Sequence, residues 1–410
     1  MGYELRPIAP DEFDIFMRRG TTAFGEDDTP ELREHDRRFF EFDRSLAAFD
    51  GGELVATAGA FTFDLTLPGL TTIPVAGVTW VTVLPTHRRR GLLRQLMDRQ
   101  LDDFAARNEP VAVLEASEST IYGRFGYGIA TQAAKVEIRK ESTSLAIPSR
   151  AGGRIRLLDP DDAHKVLPGV YDAHRRSLPG ALTRNERWWE SYFTDPEKLR
   201  DGYSVRYDAV HENDAGEADG YAAYRISWNT PAADTLGSTL RLLSLHSADP
   251  EVDAALFEYL LNVDLVGQIE SHVRPVDDPL RWRLVDIRRY RMSDVRDWLW
   301  VRLLDIPAAL GARRYGLEGR LTLEVRDPFR PANDGVYRLD GGPGGATCTR
   351  VAGDDADIRL PVDALGAVYL GGVSFSTLAV SGRLTGSPEV LARADAMFRS
   401  TPPPFCDRSF

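Results

Sequence analysis

A turn of three arginines and a glycine, Arg88–Gly91, is the part of this 410-residue sequence best suited to bind an anion. The β-branched run Val78–Val83 precedes it, and a helical pattern follows it. The first N–H groups of a helix lack intrahelical partners and carry partial positive charge, so they hold phosphate groups well. Gly91 lets a ligand approach the backbone, and guanidinium groups add charge-assisted hydrogen bonds. The turn predicts a site for a pyrophosphate or a 3′-phosphate; the alternative is a solvated basic turn.

The elements beside the turn are a helix and a second strand. Gly91–Asn108 predicts a helix with one apolar face. The apolar residues at helical spacing are Leu92, Leu93, Leu96, Met97, Leu101 and Phe104. Val111–Glu115 then has the pattern of a short buried strand. Strand, helix and strand in this order predict a βαβ crossover with two parallel neighbouring strands.

The rest of the chain divides into two further segments of mixed α and β pattern, as expected for a length that exceeds one core. Glu141–Gly153, with Pro148 and a pair of glycines, has the composition of a linker. The segment from about 154 to 290 repeats the order of the first, without an arginine-glycine turn after its Thr239–Ser247 strand. The segment from about 291 to 410 begins with the strand-like Trp298–Val301 and carries a helical pattern at Pro388–Phe398.

The composition narrows the classes of partner. The 50 basic and 62 acidic residues give a net charge of -12, which disfavours nucleic acid and anionic membranes. The charge favours a cationic partner such as a polyamine or an amino sugar, or serves solubility alone. The sequence shows no secretory signal and no run near the ~20 apolar residues of a membrane span, so we expect a cytoplasmic protein. Two cysteines, Cys348 and Cys406, and seven histidines without ligand spacing predict neither disulfides nor a metal site.

Two strings carry a resemblance to a known family. One is V-x-P-T-H-R-R-R-G-L-L-R, which begins at Val83, and the other is A-S-E-x-x-I-Y-G-R-F-G-Y-G at Ala116–Gly128. They closely resemble the enhanced intracellular survival (Eis) branch of the GNAT superfamily of N-acetyltransferases. Chains of that branch end on phenylalanine, as this one does at Phe410. Leu93 departs from the Gly or Ala usual in GNAT proteins, a departure that fits this branch.

The resemblance covers the whole chain and implies an α+β fold. It implies two tandem GNAT-like domains, each a mixed sheet flanked by helices, followed by a sterol-carrier-protein-like α+β domain. The corresponding ranges are 1–145 for the catalytic domain, 154–290 for a degenerate second GNAT-like domain and 291–410 for the last domain. The resemblance further implies acetyl-CoA as co-substrate, no metal, and a homo-hexamer built from trimers.

The family motif also implies the residues that hold acetyl-CoA. The backbone of Val81 and Val83 matches the strand that binds the acetyl-pantetheine arm, and the N–H of Val83 would polarise the thioester oxygen. Ser117 and Glu118 match further contacts after the next strand. The residues that match the pyrophosphate cradle are Arg88, Arg89, Arg90, Gly91, Leu92, Leu93 and Arg94. For the valines alone, core packing is the alternative.

Aminolysis of a thioester needs a neutral amine and a proton for the departing thiolate. Tyr122 matches the general acid of the family, and an ordinary tyrosine has a pKa of about 10. The terminal carboxylate of Phe410 matches the group that orients the amine and assists its deprotonation. The alternatives are a packing role for Tyr122, as for Tyr127, and a frayed chain end without function.

The acceptor is the part of the reaction that the motifs fix least. Phe24, Asp27 and Glu115 are candidate acceptor residues, and acids there would suit a cation such as an aminoglycoside, a polyamine or a lysine side chain. Ser409 stands where some relatives have an acid. Two other hypotheses stay open: an acyl-CoA-responsive binding or regulatory protein with little turnover, and lipid carriage by the third segment.

Overall fold

A computed structural model describes residues 2–141, 143–228, 237–353 and 355–410. The chain forms two compact units. One contains Met1–Thr131, Leu178–Thr183 and Asp297–Phe410, and the other contains Gln132–Ser177 and Arg184–Arg296. Among the described residues, no helix combines the length and the apolar character that a membrane span requires.

The N-terminal region alternates strands and helices. Its strands are β1 (Glu4–Arg6), β2 (Leu46–Asp50), β3 (Glu53–Thr66), β4 (Thr72–Val83), β5 (Val111–Glu115) and β6 (Gly128–Ile129). Its helices are α1 (Phe13–Phe24), α2 (Pro30–Arg37) and α3 (Leu92–Ala106). The predicted helix after the arginine turn is thus observed as α3, and it buries Leu92, Leu96, Met97, Leu101 and Phe104.

The middle region forms the second unit around one seven-stranded sheet. Its strands are β7 (Gln132–Arg139), β8 (Arg154–Leu157), β9 (Tyr207–Glu212), β10 (Ala218–Ser227), β11 (Ser238–Ser247), β12 (Val266–Arg274) and β13 (Tyr290–Asp297). Its helices are α4 (Pro160–Arg175), α5 (Glu186–Thr194) and α6 (Pro250–Leu261). The strand order is β13-β7-β12-β11-β10-β9-β8, and β11 and β12 are parallel, which repeats the predicted plan of the first region.

The C-terminal region adds a strand to the first sheet and then builds a sheet of its own. Its strands are β14 (Leu299–Leu303), β15 (Gly319–Arg326), β16 (Gly335–Gly342), β17 (Gly345–Val351), β18 (Ile358–Pro361) and β19 (Thr385–Gly386). Its helices are α7 (Ile306–Ala312), α8 (Val362–Val368), α9 (Phe375–Val380) and α10 (Pro388–Phe398). The order of its own sheet is β17-β16-β15-β18-β19.

The first sheet has the order β1-β2-β3-β4-β5-β14-β6. Strands β4 and β5 are parallel, which confirms the predicted crossover through α3. Their pairing extends only from Val75 opposite Val111 to Gly77 opposite Val113, and β4 continues for six residues beyond it. The free edge of β4 therefore faces a gap at the end of the sheet where α3 begins.

Two glycines of the Ala116–Gly128 string allow the C-terminal region to pack against the first sheet. A side chain at Gly128 would place its Cβ 1.8 Å from the carbonyl oxygen of Asp363 in α8. Gly126 has a φ of +86°, and a Cβ there would lie 2.6 Å from a guanidinium nitrogen of the buried Arg302. These positions require glycine because backbone and side chains of the last region lie directly against them.

Candidate active site

A cavity of about 820 Å³ lies where β4 ends, α3 begins and the segment after β5 passes. Most of the residues predicted for cofactor binding line it. They are Val81, Val83, Arg88, Arg89, Gly91, Leu92, Leu93, Arg94, Ser117 and Glu118, and they are joined by Tyr122 and Phe24. Three stretches of the first region, within residues 23–24, 81–94 and 117–125, thus meet in one cavity that contains the arginine turn and the candidate general acid.

Four predicted residues do not line this cavity: Arg90, Asp27, Glu115 and Phe410. The cavity also contains residues that the sequence did not single out, namely Ala23, Thr82, His87, Ile121, Arg124 and Phe125. Arg124 adds a cation to the loop that carries Tyr122. Arg124 could have been predicted from the sequence, because it lies two residues after Tyr122 within the same motif string.

The arginine turn places the start of α3 at the cavity. Arg89 and Gly91 have φ values of 64° and 81°, so the backbone turns sharply just before α3. Gly91 is the N-cap and makes no side-chain capping bond, which leaves the first N–H groups of the helix for a ligand. Arg88 donates to the carbonyl oxygens of Val83 (3.2 Å) and Ala23 (3.1 Å), so it fixes the turn to β4 and α1. Arg89 and Arg90 remain exposed.

A residue of the C-terminal region, Phe329, packs against two residues that line the cavity. The guanidinium of Arg94 lies 5.0 Å from the ring centroid of Phe329. The same ring packs edge to face against Phe125, with 5.0 Å between centroids. Phe329 thus contacts two residues that line the cavity, and the cation–π contact limits the positions that Arg94 can adopt.

Tyr122 is buried and begins the short 3-10 helix Tyr122–Phe125. Burial, with a smaller contribution from the charge of Glu118, raises the pKa of Tyr122 to about 12. The phenol is therefore protonated throughout the neutral range, as a proton donor must be.

Phe410 returns to the first sheet from the end of the chain. Its ring packs edge to face against Phe63, with 5.3 Å between centroids, and would lie 3.2 Å from a Cβ at Gly77 in β4. Arg408 is buried, lies 4.6 Å from the centroid of Phe63 and donates to the carbonyl oxygen of Thr183 (3.1 Å). These contacts fix the chain end beside β3 and β4.

The candidate acceptor residues differ in their surroundings. Phe24 is 48% exposed at the cavity and ends α1. Asp27 is exposed in the loop between α1 and α2, next to Asp28, which pairs with Arg33. Glu115 ends β5, and its charge adds to the effects of burial and of Asp407 in raising the pKa of the Cys406 thiol. Of the three, only Phe24 lines the cavity.

The second unit shows why a similar fold need not bind phosphate. The N-cap of α6 is Asp249, whose carboxylate accepts from the N–H of Glu251 at 2.8 Å. The carboxylate of Glu251 accepts from the N–H of Arg150 (2.8 Å) and from Arg283. Two carboxylates therefore occupy the helix start that in the first unit is glycine and arginine, and they would repel an anion. Across the described ranges, no three His, Cys, Asp or Glu side chains group so that they could hold a metal ion.

Comparison with known protein families agrees with this geometry. Models of the acetyltransferase (GNAT) domain match residues 4–130 and 180–303, and a model of the sterol carrier protein domain matches residues 306–407. The α+β fold of two GNAT domains and a sterol-carrier-like domain is thereby confirmed. The chain is an N-acetyltransferase of the GNAT superfamily.

Comparison with individual relatives identifies the family within the GNAT superfamily to which the chain belongs. It is 34% identical to the N-acetyltransferase Eis of Mycobacterium tuberculosis, over 86% of this chain and 85% of the relative. The crystal structure of Eis1 from Mycobacterium abscessus superposes with a TM-score of 0.86 at 33% identity and covers 99% of this chain and 100% of that one. An uncharacterized N-acetyltransferase of Streptomyces avermitilis is 39% identical over the full length of both chains. The chain belongs to the Eis family, as its motifs predicted.

Proposed function

We propose that this protein transfers the acetyl group of acetyl-CoA directly to an amine in a ternary complex. The observation that carries the proposal is one cavity lined by the start of α3, by Arg89 and by Tyr122, whose raised pKa keeps its phenol protonated at neutral pH. The family supports the choice of ligand, since GNAT acetyltransferases use acetyl-CoA.

Each part of the cavity has a role in this proposal. The N–H groups at the start of α3, with Arg89, Arg94 and Arg124, bind the phosphates. The free edge of β4 at Val81–Val83 binds the acyl arm and polarises the thioester carbonyl. The amine nitrogen attacks the carbonyl carbon, the C–S bond breaks, and Tyr122 donates its proton to the departing sulfur. Ser117 and Glu118 complete the cofactor contacts, with Arg88 fixing the turn.

The carboxylate of Phe410 is the proposed group that orients the amine. The packing of Phe410 against Phe63, and close to Gly77, supports a fixed position for it beside β4. At the ordinary carboxylate pKa it is a weak base, so it holds the ammonium and passes the proton on through water. Phe24, Asp27 and Glu115 remain the proposed acceptor-side residues.

The proposed acceptor is cationic: an aminoglycoside-like molecule, a polyamine or a lysine side chain. The net charge of -12 supports it, because a negative protein attracts cations over a distance. The alternative is an acyl-CoA-responsive regulatory protein with little turnover.

A cytoplasmic location is supported by the two free cysteines, and a hexamer is supported by the family resemblance. The domain limits at 145, 154 and 291 remain predictions.

The acceptor proposal is tested by thiol release from acetyl-CoA across matched amines. Aminoglycosides and polyamines are compared with singly charged arylalkylamines and with lysine peptides at low and high salt. We expect the polycations to give the highest kcat/KM, and we expect salt to reduce it, because screening weakens long-range attraction. Faster turnover of singly charged amines without salt dependence would refute the cationic acceptor. Binding of acetyl-CoA without turnover of any amine would favour the regulatory alternative.

A further inference from the structure

Strand β4 contains a bulge at the wall of the cavity. Thr57 of β3 pairs with Thr82 of β4, and Gly59 pairs with Thr79. One residue of β3 therefore stands opposite two residues of β4, Trp80 and Val81. A bulge of this kind bends its strand and re-aims the residues that follow it. The residues that follow it here, up to Val83, line the cavity.

The bulge has a strained backbone. Trp80 has a φ of 47°, a left-handed conformation that is rare and strained for a bulky side chain. Such a conformation persists only if neighbouring groups hold it. On the opposite strand, a Cβ at Gly59 would lie 2.9 Å from Cε3 of the Trp80 indole, so the ring occupies the space that glycine leaves.

The polar group that holds the bulge is the hydroxyl of Thr57, a fully buried residue. It donates to the carbonyl oxygen of Trp80 at 2.7 Å and lies 2.6 Å from the hydroxyl of Thr82. A threonine hydroxyl has one hydrogen, so Thr82 donates to Thr57 in this pair. The buried hydroxyl oxygen of Thr57 thus links the strained Trp80 to Thr82, which lines the cavity.

The helix of the anion site is tied to the same stretch of β3. Gln100 of α3 is buried, and its amide nitrogen donates to the carbonyl oxygen of Gly59 at 3.0 Å. The bulge and helix α3 therefore share Thr57–Gly59 as a common support. A shift at Thr57 would move the edge of β4 relative to the start of α3.

We infer that Thr57 is a positioning residue that fixes the backbone edge of Val81–Val83 for the acyl arm of the thioester. The inference rests on the proposed binding of acetyl-CoA in this cavity. Thr57 does not line the cavity and acts through Trp80 and Thr82. Its hydroxyl serves the acyl end of the site, whereas the phosphates are bound by α3 and the arginine turn.

The test replaces the hydroxyl of Thr57 with a methyl group of similar size. We expect Thr57→Val to weaken acetyl-CoA binding by about tenfold, the loss of one buried hydrogen bond, and to lower kcat/KM at least as much. Binding of adenosine 3′-phosphate 5′-diphosphate, which carries the phosphates without the acyl arm, should stay within about twofold of wild type. Thr57→Ser keeps the hydroxyl and should restore acetyl-CoA binding.

A matched control lies on the same strand. Thr66 is also fully buried, and among the described residues its hydroxyl has no hydrogen-bond partner. Thr66→Val should therefore leave both affinities unchanged. If Thr57→Val fails to fold, Gly59→Ala displaces the Trp80 indole from the opposite strand and should produce the same selective loss.

The outcomes separate this inference from the proposed function. Unchanged acetyl-CoA affinity in folded Thr57→Val, or an equal loss for the phosphate fragment, would overturn the positioning role alone. A wild-type protein that binds the phosphate fragment and acetyl-CoA with equal affinity would overturn it too, since β4 would then make no contact with the acyl arm. A wild-type protein that binds neither would overturn the proposed function and the inference together.

Discussion

The ring of Tyr122 packs edge to face against the ring of Tyr127, with 6.0 Å between their centroids. Both rings belong to the core beneath the cavity, but only Tyr122 lines the cavity. Burial raises the pKa of Tyr122 to about 12 and that of Tyr127 further still. Two neighbouring phenols with similar packing therefore differ in their access to a ligand, and this pair provides a controlled test of catalysis.

Tyr122→Phe should lower kcat by about 10²–10⁴-fold and leave acetyl-CoA affinity nearly unchanged, because only the proton donor is removed. Tyr127→Phe is the control, since its hydroxyl is buried without a hydrogen-bond partner among the described residues. We expect this variant to keep its kcat. Steady-state kinetics and calorimetry measure the two quantities, and a normal kcat in Tyr122→Phe would assign that residue to packing.

The arginine turn should contribute to affinity rather than to the chemical step. Replacing Arg89 and Arg90 together with alanine should weaken acetyl-CoA binding by about 2–5 kcal/mol. Arg89→Ala alone should account for most of this loss, because Arg89 lines the cavity and Arg90 does not. Arg99→Ala, on the exposed side of α3, is the control. Calorimetry that finds equal affinities for the double variant and wild type would refute the phosphate site.

Moving the carboxylate of Phe410 should abolish turnover and spare cofactor binding. Deleting Phe410 moves the terminal carboxylate back by roughly 3.5 Å. Adding three alanines after Phe410 moves the terminal carboxylate away from its place and leaves an amide there. Either change exceeds what proton transfer tolerates. The same three alanines at the N-terminus serve as the control. If the C-terminally extended enzyme is as active as this control, the orienting group must be sought at Glu115 or among the acids near Phe24.

Asp253 of α6 should make the protein less stable as pH rises. Burial raises its pKa from 3.8 to about 8, although Arg274 opposes the shift. The folded state then binds a proton that the unfolded state has lost, so the contribution of Asp253 declines between about pH 4 and pH 8. Asp253→Asn should remove this decline, which is about 1.4 kcal/mol per pH unit at its steepest. Urea unfolding at pH 5, 7 and 9 gives the free energy of unfolding of both proteins as a function of pH. If the Asp253 carboxyl were ionised in the folded state, the two proteins would show the same pH dependence, which would contradict the prediction.

Local sequence signals predicted the parts of the site that lie on one continuous segment. The turn Arg88–Gly91, the apolar face of α3 and the parallel pair of β4 and β5 follow from glycine, periodicity and element order. Tyr122 follows from its motif. The sequence of the first region therefore indicated most of the residues that line the cavity.

Pairings between distant segments could not be predicted in this way. Strand β14 joins β5 across about 190 positions of sequence, and neither strand carries a pattern that selects the other. The bulge at Trp80 depends on Thr57 and Gly59 of another strand, so its own sequence shows only a β-branched run. The contact of Phe329 with Arg94 likewise requires the last region to pack beneath the first. Local patterns contain no information on such contacts.

The central claim is that acetyl passes from acetyl-CoA to an amine in the cavity that contains Tyr122 and Arg89. The most direct measurement follows released CoA and acetylated amine in the same reaction, by thiol detection and mass spectrometry. We expect equal amounts of the two products from the wild-type enzyme, and a parallel loss of both in Tyr122→Phe. Release of CoA without an acetylated amine, or undiminished acetylation by Tyr122→Phe, would contradict the claim.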